Sequence, residues 1–311
     1  MHILLPTLHV RPSAQAIPLA AGCLKACLPK ELRKSTQLLD LFPAQADEDI
    51  LRQIRSQQPQ VVAFSLYLWN RTRILALCKK LRQLQPEIIL LAGGPEASAD
   101  GQKVITEGEL DGVICGEGEA VFPQLLTALA AQKLPTDLPG FLPAQHPDHT
   151  CKAAVCSDLT ALPSPWLQGN LPLQPGCGVL WEVARGCRFN CAFCYDAKGQ
   201  QGVRPLPIER LAAELDLFTE KQVAQIWILD STFNSPPQRG KQLLQLLIEK
   251  APQIHYHLEA KADFLDTETA EMLSYLSCSV QIGLQSADPE ILKPLQRSFK
   301  PHQMKKALQQ L

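Results

Sequence analysis

The sequence has almost no net charge. Its 30 Lys and Arg residues stand against 31 Asp and Glu, for a formal −1 at pH 7 in 311 residues. No long run of one sign interrupts it, so neither nucleic acid nor a charged tail is indicated. No apolar run approaches the roughly 18 residues of a membrane span. The N-terminus, Met1-His2-Ile3-Leu4-Leu5-Pro6, lacks the basic start and long apolar core of a secretory leader. These absences predict a cytoplasmic protein with no membrane or nucleic-acid partner. Repeats at solenoid spacing and low-complexity tracts are also missing. What remains is an ordinary globular composition, 46% apolar and 20% charged, long enough for two domains at roughly 100–200 residues each.

Cysteine is the exception, at 11 residues. Without a leader, a disulfide framework is not expected. Cys23, Cys27, Cys78 and Cys115 lie singly or loosely paired in apolar stretches and read as small buried side chains. Cys187, Cys191 and Cys194 are crowded into eight residues.

Strand-like apolar runs at 3–8, 37–41, 61–66, 87–92 and 110–115 alternate with helical patterns at 19–28, 49–58, 72–84 and 122–132. Near-continuous apolar strands alternating with helices predict a parallel sheet covered on both faces, here a flavodoxin-like doubly wound domain over residues 1–133. Residues 134–178 carry Pro135, Pro139, Pro143, Pro147, Pro163, Pro165, Pro172 and Pro175. Such density breaks helix and central strand, and an irregular linker with short edge strands near 152–155 is expected. From 179 the alternation resumes, with strands at 179–184, 225–229, 254–259 and 279–285 and helices between and after them. Four such units through residue 311 predict a barrel that is incomplete at its C-terminus.

The segment Arg185-Gly186-Cys187-Arg188-Phe189-Asn190-Cys191-Ala192-Phe193-Cys194 directly follows the first of these strands. Three thiolates in one loop can hold three irons of a [4Fe–4S] cube and leave the fourth open to a small molecule. A zinc site with the more distant Cys177 as fourth ligand is the structural alternative.

The loop resembles the signature of the radical S-adenosylmethionine (SAM) superfamily, Cys-x3-Cys-x-aromatic-Cys, with Phe193 at the aromatic position. The resemblance implies an α/β chain ending in a partial (β/α)6 radical SAM barrel. It implies that Cys187, Cys191 and Cys194 ligate the cluster, that SAM chelates the open iron and is reductively cleaved, and that Phe193 lies against the adenine. Three strand ends carry further resemblances. Asp230, in Asp230-Ser231-Thr232, replaces the family's Gly-Gly-Glu, whose role is to bind the SAM amino group. Glu259 is placed for the SAM ribose or amino group. Gln285 and Ser286 end a Gly-x-Gln-Ser element, and Arg297 resembles an Arg that approaches the SAM carboxylate. No catalytic residue in the strict sense is assigned.

Ahead of the barrel, Phe64-Ser65-Leu66-Tyr67-Leu68-Trp69-Asn70, Ala92-Gly93-Gly94-Pro95-Glu96 and Gly116-Glu117-Gly118-Glu119 resemble strand ends of the cobalamin-binding domain that precedes many radical SAM cores. Ser65, Gly93 and Gly94 are the implied cobalamin contacts. The family's Asp-x-His-x-x-Gly is replaced by Leu8-His9-Val10-Arg11-Pro12-Ser13, so His9 lies near the place of the cobalt ligand without its motif. Cobalamin binding and a cofactor-free packing domain both stay open. The implied activity is radical chemistry, a methyl transfer or a rearrangement, on a small molecule or peptide, with an electron donor such as flavodoxin or ferredoxin. The competing readings are a cluster-binding remnant that needs a partner, a methylthiotransferase and a zinc-binding module.

Overall fold

The structure, a computed structural model, describes residues 1–145, 151–196, 202–297 and 301–311. It divides into two compact units, Met1–Leu171 and Pro172–Leu311.

In the first unit, strands β1 (Ile3–Leu8), β2 (Thr36–Leu41), β3 (Val61–Ser65), β4 (Ile89–Gly93), β5 (Gly112–Ile114) and β6 (Phe141–Pro143) form one sheet in the order β2-β1-β3-β4-β5-β6. The first five are parallel, and β6 runs antiparallel to β5. Helices α1 (Leu19–Ala26), α2 (Lys30–Lys34), α3 (Asp47–Ser56), α4 (Arg71–Leu84), α5 (Pro95–Ala99), α6 (Gly101–Gly108) and α7 (Gly118–Ala130) connect them. The strands read as unbroken apolar runs because both faces are buried. Leu4, Val62, Leu90 and Val113 feed one core together with α3, α4 and α6. Ile3, Leu5, Val61, Leu91 and Ile114 feed a second with α1 and α7. Helix α3 shows why a short segment settles here. Asp47, Glu48 and Asp49 face the positive end of its dipole, and Ile50, Leu51 and Ile54 make its buried stripe.

Several expectations shift. Helices α5 and α6 were not expected, because they are short and rich in small and polar residues (PEASA and GQKVITEG), with only Ala97 and then Val104, Ile105 and Gly108 buried. The segment expected as a linker is partly structured. Pro143 closes strand β6, an edge position where its missing N–H costs nothing. Ala154 bridges Gly116, and the first unit continues to Leu171; residues 146–150 lie outside the described ones. Cys78 and Cys115 are buried as expected, but Cys23 and Cys27 are only half-buried.

The second unit holds a parallel sheet of β7 (Gly178–Glu182), β10 (Gln225–Leu229), β11 (His255–Ala260) and β12 (Cys278–Ile282), in the order β12-β11-β10-β7. Helices α8 (Ile208–Glu220), α9 (Pro237–Lys250) and α10 (Thr267–Ser274) link these strands, and α11 (Pro289–Leu292) and α12 (Pro301–Gln310) follow. Each strand lies beside its predecessor, as in an arc of a (β/α) barrel. One face is buried by Val179, Trp181, Ile226, Ile228, Tyr256 and Leu258. The other carries Gln225, Trp227, His255, His257, Glu259 and Gln281, half-buried or exposed. Trp181 anchors α8, its Nε1 donating to the fully buried Glu214 at 2.7 Å. Strands β8 (Ala184–Arg185) and β9 (Arg204–Pro205) form a separate antiparallel pair. Among the described residues, no helix is long and apolar enough to cross a membrane.

Candidate cluster and cofactor site

The cysteine loop leaves the sheet at the C-terminal end of β7, and the β8–β9 pair closes its base. Gly186 opens it at φ 81°, and a Cβ there would lie 2.6 Å from the Gly202 carbonyl oxygen. Only glycine lets the two arms approach this closely. Gly202 N–H donates to the Cys187 carbonyl at 3.3 Å, Cys194 N–H to that of Cys191 at 3.0 Å, and Ala192 N–H to that of Leu295 at 3.0 Å. Phe189 is held under the Lys261 ammonium, 4.1 Å from the ring centroid, and beside Phe264 at 6.1 Å. Lys261 is itself buried, and its backbone is gripped by the Asn234 amide at both N–H (3.0 Å) and carbonyl (2.9 Å). The loop conformation is therefore imposed from both sides by the protein.

Within it Cys187 and Cys191 are buried and Cys194 half-buried. Thr232 Oγ1 is 3.9 Å from Cys187 Sγ, and Arg297 Nη1 is 3.8 Å from Cys191 Sγ. The Thr232 hydroxyl gives its proton to the Ser231 carbonyl at 2.5 Å, so only the guanidinium is a donor toward sulfur. Three thiols on one braced loop, with a guanidinium beside one sulfur, suit cluster thiolates, which draw on hydrogen bonds to sulfur. Among the described residues no three His, Cys, Asp or Glu side chains gather around a point that could hold one ion.

The residues expected around SAM are brought to this loop unequally. Phe193 is 50% exposed, with its ring open to a planar ligand. Asp230 differs from expectation: its carboxylate is buried against Arg239 Nη1 at 2.5 Å and also accepts the Thr232 N–H at 3.1 Å. It braces the turn after β10 and is only 6% exposed. Glu259 is exposed at the end of β11, with its carboxyl held above the usual range by partial desolvation and then by Asp196 and Asp230. Asp196 also accepts a short hydrogen bond from the Ser231 hydroxyl. Asp196 and Ser231 escaped the sequence reading because they meet across 35 residues. With Glu259 they make this rim negative, as a sulfonium or ammonium ligand requires. Gln285 and Ser286 lie beyond β12, which stops at Ile282. Gln285 adopts a left-handed φ of 64°, which breaks the strand, and Ser286 Oγ accepts the Asp288 N–H at 3.0 Å. Arg297 is at Cys191, with Nη2 donating to the Gly283 carbonyl at 3.1 Å.

In the first unit the order β2-β1-β3 places a topological switch point between β1 and β3, where open α/β sheets bind ligands at strand C-termini. His9 follows β1, but it is buried, with Nε2 on Asp40 Oδ1 at 2.6 Å and its ring stacked on Phe42 at 5.3 Å. The Asp40 carboxylate takes Nε2, which leaves Nδ1 as the nitrogen open to a metal, on a residue that is only 8% exposed. Gly94, at φ 99°, is required by the protein itself, because a Cβ would meet the Leu66 carbonyl at 2.7 Å. At Gly93 a Cβ would make only ordinary contacts, the nearest at 3.6 Å. Ser65 is half-buried, and its carbonyl accepts the Asn70 amide at 3.1 Å. Buried Asn70 also binds Leu8 O at 3.4 Å and Tyr67 N at 2.8 Å, tying the ends of β1 and β3 together. The loop so held exposes Leu68 (83%) and Trp69 (58%), and Val10 (61%) stands after β1. Trp69 is stacked on Tyr67 at 4.4 Å. The sequence reading placed Leu68 and Trp69 in a segment resembling a cobalamin-domain strand end but named only Ser65 there as a contact. The signal for this apolar shelf at the switch point was a Leu-Trp pair immediately after a strand, where a loop is ordinarily polar.

A family model for the B12 binding domain matches residues 10–126, and one for the radical SAM superfamily matches residues 181–311. The cobalamin-dependent radical SAM methyltransferase TokK of Streptomyces tokunonensis is 26% identical over 77% of this chain and 38% of its own length. The hopanoid C-3 methylase of Methylococcus capsulatus is 28% identical over 84% of this chain and 52% of its own. The chain thus spans about two fifths to about half the length of these curated relatives. Among solved structures, the radical SAM methyltransferase TsrM from Kitasatospora setae superposes over all of this chain and 65% of its own with a TM-score of 0.77 at 15% identity. The cobalamin-dependent SAM radical enzyme OxsB does so over all of this chain and 47% of its own, with a TM-score of 0.78 at 18% identity. At these identities the structures speak for the fold, which is an α/β one of doubly wound domain and radical SAM core. By its two matched domains, the chain belongs to the radical SAM proteins that carry a B12-binding domain ahead of the radical SAM core.

Proposed function

We propose that this chain is a cobalamin-dependent radical SAM enzyme that holds a [4Fe–4S] cluster on Cys187, Cys191 and Cys194 and transfers a methyl group to a small-molecule or peptide substrate. The observation that carries the reading is the braced loop at the end of β7, whose three thiols have Thr232 and Arg297 at two of the sulfurs. Methyl transfer is favoured over rearrangement because the two relatives described are named as methylating enzymes. When bound, the cluster supplies the electron that cleaves SAM, and cobalamin supplies a carrier for the methyl group.

The residues divide the remaining work. Buried Cys187 and Cys191 keep two ligating sulfurs out of bulk water, and half-buried Cys194 leaves the loop's outer side accessible. Phe193 offers a ring face to adenine. Asp196 and Glu259 favour a cationic ligand, with Ser231 holding the Asp196 carboxylate in place. Asp230 and Arg239 fix the turn on which Ser231 and Thr232 sit. In the first unit, Val10, Leu68 and Trp69 supply apolar area to one flank of a flat macrocycle. The electron comes from a flavodoxin- or ferredoxin-type donor.

Anaerobic reconstitution of the full chain with iron and sulfide tests this directly. A brown protein with about four irons per chain is expected, with iron lost in the Cys187→Ala, Cys191→Ala and Cys194→Ala variants. Addition of SAM and a strong reductant should then release 5′-deoxyadenosine or S-adenosylhomocysteine. A colourless protein holding one zinc sinks the reading. A full cluster that never turns over SAM leaves a cluster-binding protein and not an enzyme.

A further inference from the structure

Arg297 reaches the cysteine loop from the far side of β12. Its backbone N–H donates to the Leu292 carbonyl at 3.2 Å, capping α11. Two residues earlier, the Leu295 carbonyl accepts the Ala192 N–H at 3.0 Å, so this short segment is docked on the loop by its main chain as well. The guanidinium is half-buried and forked between two acceptors, Nη2 on Gly283 O at 3.1 Å and Nη1 on Cys191 Sγ at 3.8 Å. Room for the fork is made at Gly283, where a Cβ would stand 3.0 Å from Gln285 Nε2 and 3.3 Å from Arg297 Nη2. The planar, permanently charged group is thus aimed at a single sulfur by a carbonyl behind it, an arrangement that a lysine's single ammonium cannot copy.

We propose that Arg297 is a positioning residue of the cluster. It donates N–H to the Cys191 thiolate and so raises the cluster's reduction potential, instead of serving as a ligand for the SAM carboxylate. The physical ground is simple. The added electron spreads negative charge onto the cluster sulfurs, and a cationic donor on one of them stabilises the reduced form more than the oxidised one. Held to Gly283, the guanidinium also ties the end of β12 to Cys191, and it fixes that sulfur before any iron arrives. The inference rests on the proposal that Cys191 is a cluster ligand.

The test is a redox titration of the reconstituted full chain without SAM, followed by the electron paramagnetic resonance signal of the reduced cluster, for wild type, Arg297→Lys, Arg297→Gln and Arg297→Met. At the wild-type midpoint the ratio of reduced to oxidised cluster should fall about tenfold in Arg297→Met, a midpoint about 59 mV lower for one electron. Arg297→Gln should fall between, and Arg297→Lys should recover part of the loss. Gly283→Ala, which crowds the guanidinium and the Gln285 amide without removing either, should shift the midpoint the same way, with Gln285→Ala as its control, and serves if the Arg297 variants fold poorly. Unchanged midpoints with weakened SAM binding would overturn the inference in favour of a carboxylate contact. Unchanged midpoints and unchanged SAM binding would leave Arg297 without either role. A wild-type chain that takes up no cluster removes the function proposed above along with this inference.

Discussion

Glu259 stands exposed at the end of β11 with its carboxyl held above the usual range, by partial desolvation first and then by Asp196 and Asp230. A carboxyl whose pKa is raised by folding penalises the folded state when it charges. The contribution to stability is therefore full at low pH, below the ordinary Glu range, and is lost as the pH rises through the raised value. Glu259→Gln should accordingly raise the melting temperature of the metal-free protein near pH 7, and the gain should vanish at about pH 4. It should also weaken SAM binding to the cluster-loaded chain severalfold, because a negative group facing a sulfonium is gone. Thermal unfolding at the two pH values and calorimetric titration with SAM decide the matter. An equal effect at both pH values would show that folding does not hold this carboxyl above its usual range. The three cysteines were legible in the sequence because their spacing is local and needs no tertiary information. The partners of His9 and Asp230 were not, since Asp40 reaches His9 from the adjacent strand and Arg239 reaches Asp230 from the next helix. A motif position therefore stated where each side chain begins without stating where its polar atoms end.

At the scale of elements, the parallel strands of the two main sheets were read closely because continuous apolar runs report burial, and their ends moved by at most three residues. The ends are where backbone conformation decides. Strand β12 stops at Ile282, and Gln285 adopts φ 64° three residues later, a choice invisible to hydrophobic period. The turn after β4 provides the sharper test. Gly93 and Gly94 are adjacent in sequence, but only Gly94 is left-handed, and only there would a Cβ strike backbone, at Leu66 O. Gly94→Ala should cost roughly 1–2 kcal/mol for the left-handed backbone alone, and more for the collision. Gly93→Ala should leave the unfolding midpoint nearly unchanged. If Gly93 lets cobalamin approach the backbone, Gly93→Ala will lower hydroxocobalamin affinity while stability holds. An unchanged affinity would show that the glycine pair serves the turn and not the ligand. Chemical denaturation and a binding isotherm on the same two variants separate these outcomes.

At the scale of the whole molecule, the candidate ligands of the two cofactors come from different units. The thiols lie beyond Pro172, and the apolar shelf of Val10, Leu68 and Trp69 lies before Leu171. A ligand that binds only the folded state raises stability by mass action, about 2.7 kcal/mol at one hundred times its dissociation constant. Hydroxocobalamin alone, with no iron present, should therefore raise the first unfolding transition of the full chain. That rise should persist in the Cys187→Ala/Cys191→Ala/Cys194→Ala variant, because none of those residues belongs to the shelf. Trp69→Ala should shrink it, since removing a 58% exposed indole from an apolar contact costs on the order of 1–2 kcal/mol, roughly tenfold in affinity. His9→Gln is the counterweight. It breaks the buried pair with Asp40 and should lower the starting melting temperature. The increment on adding hydroxocobalamin should nonetheless match wild type, and the cobalt absorption bands should be the same in both. Loss of the increment or a change in those bands in His9→Gln would mean that the imidazole binds cobalt, and the shelf would then be a secondary contact. Loss of the increment in the triple cysteine variant would be more damaging, because cobalamin would then be held by the cluster loop and not by the switch point of the first sheet.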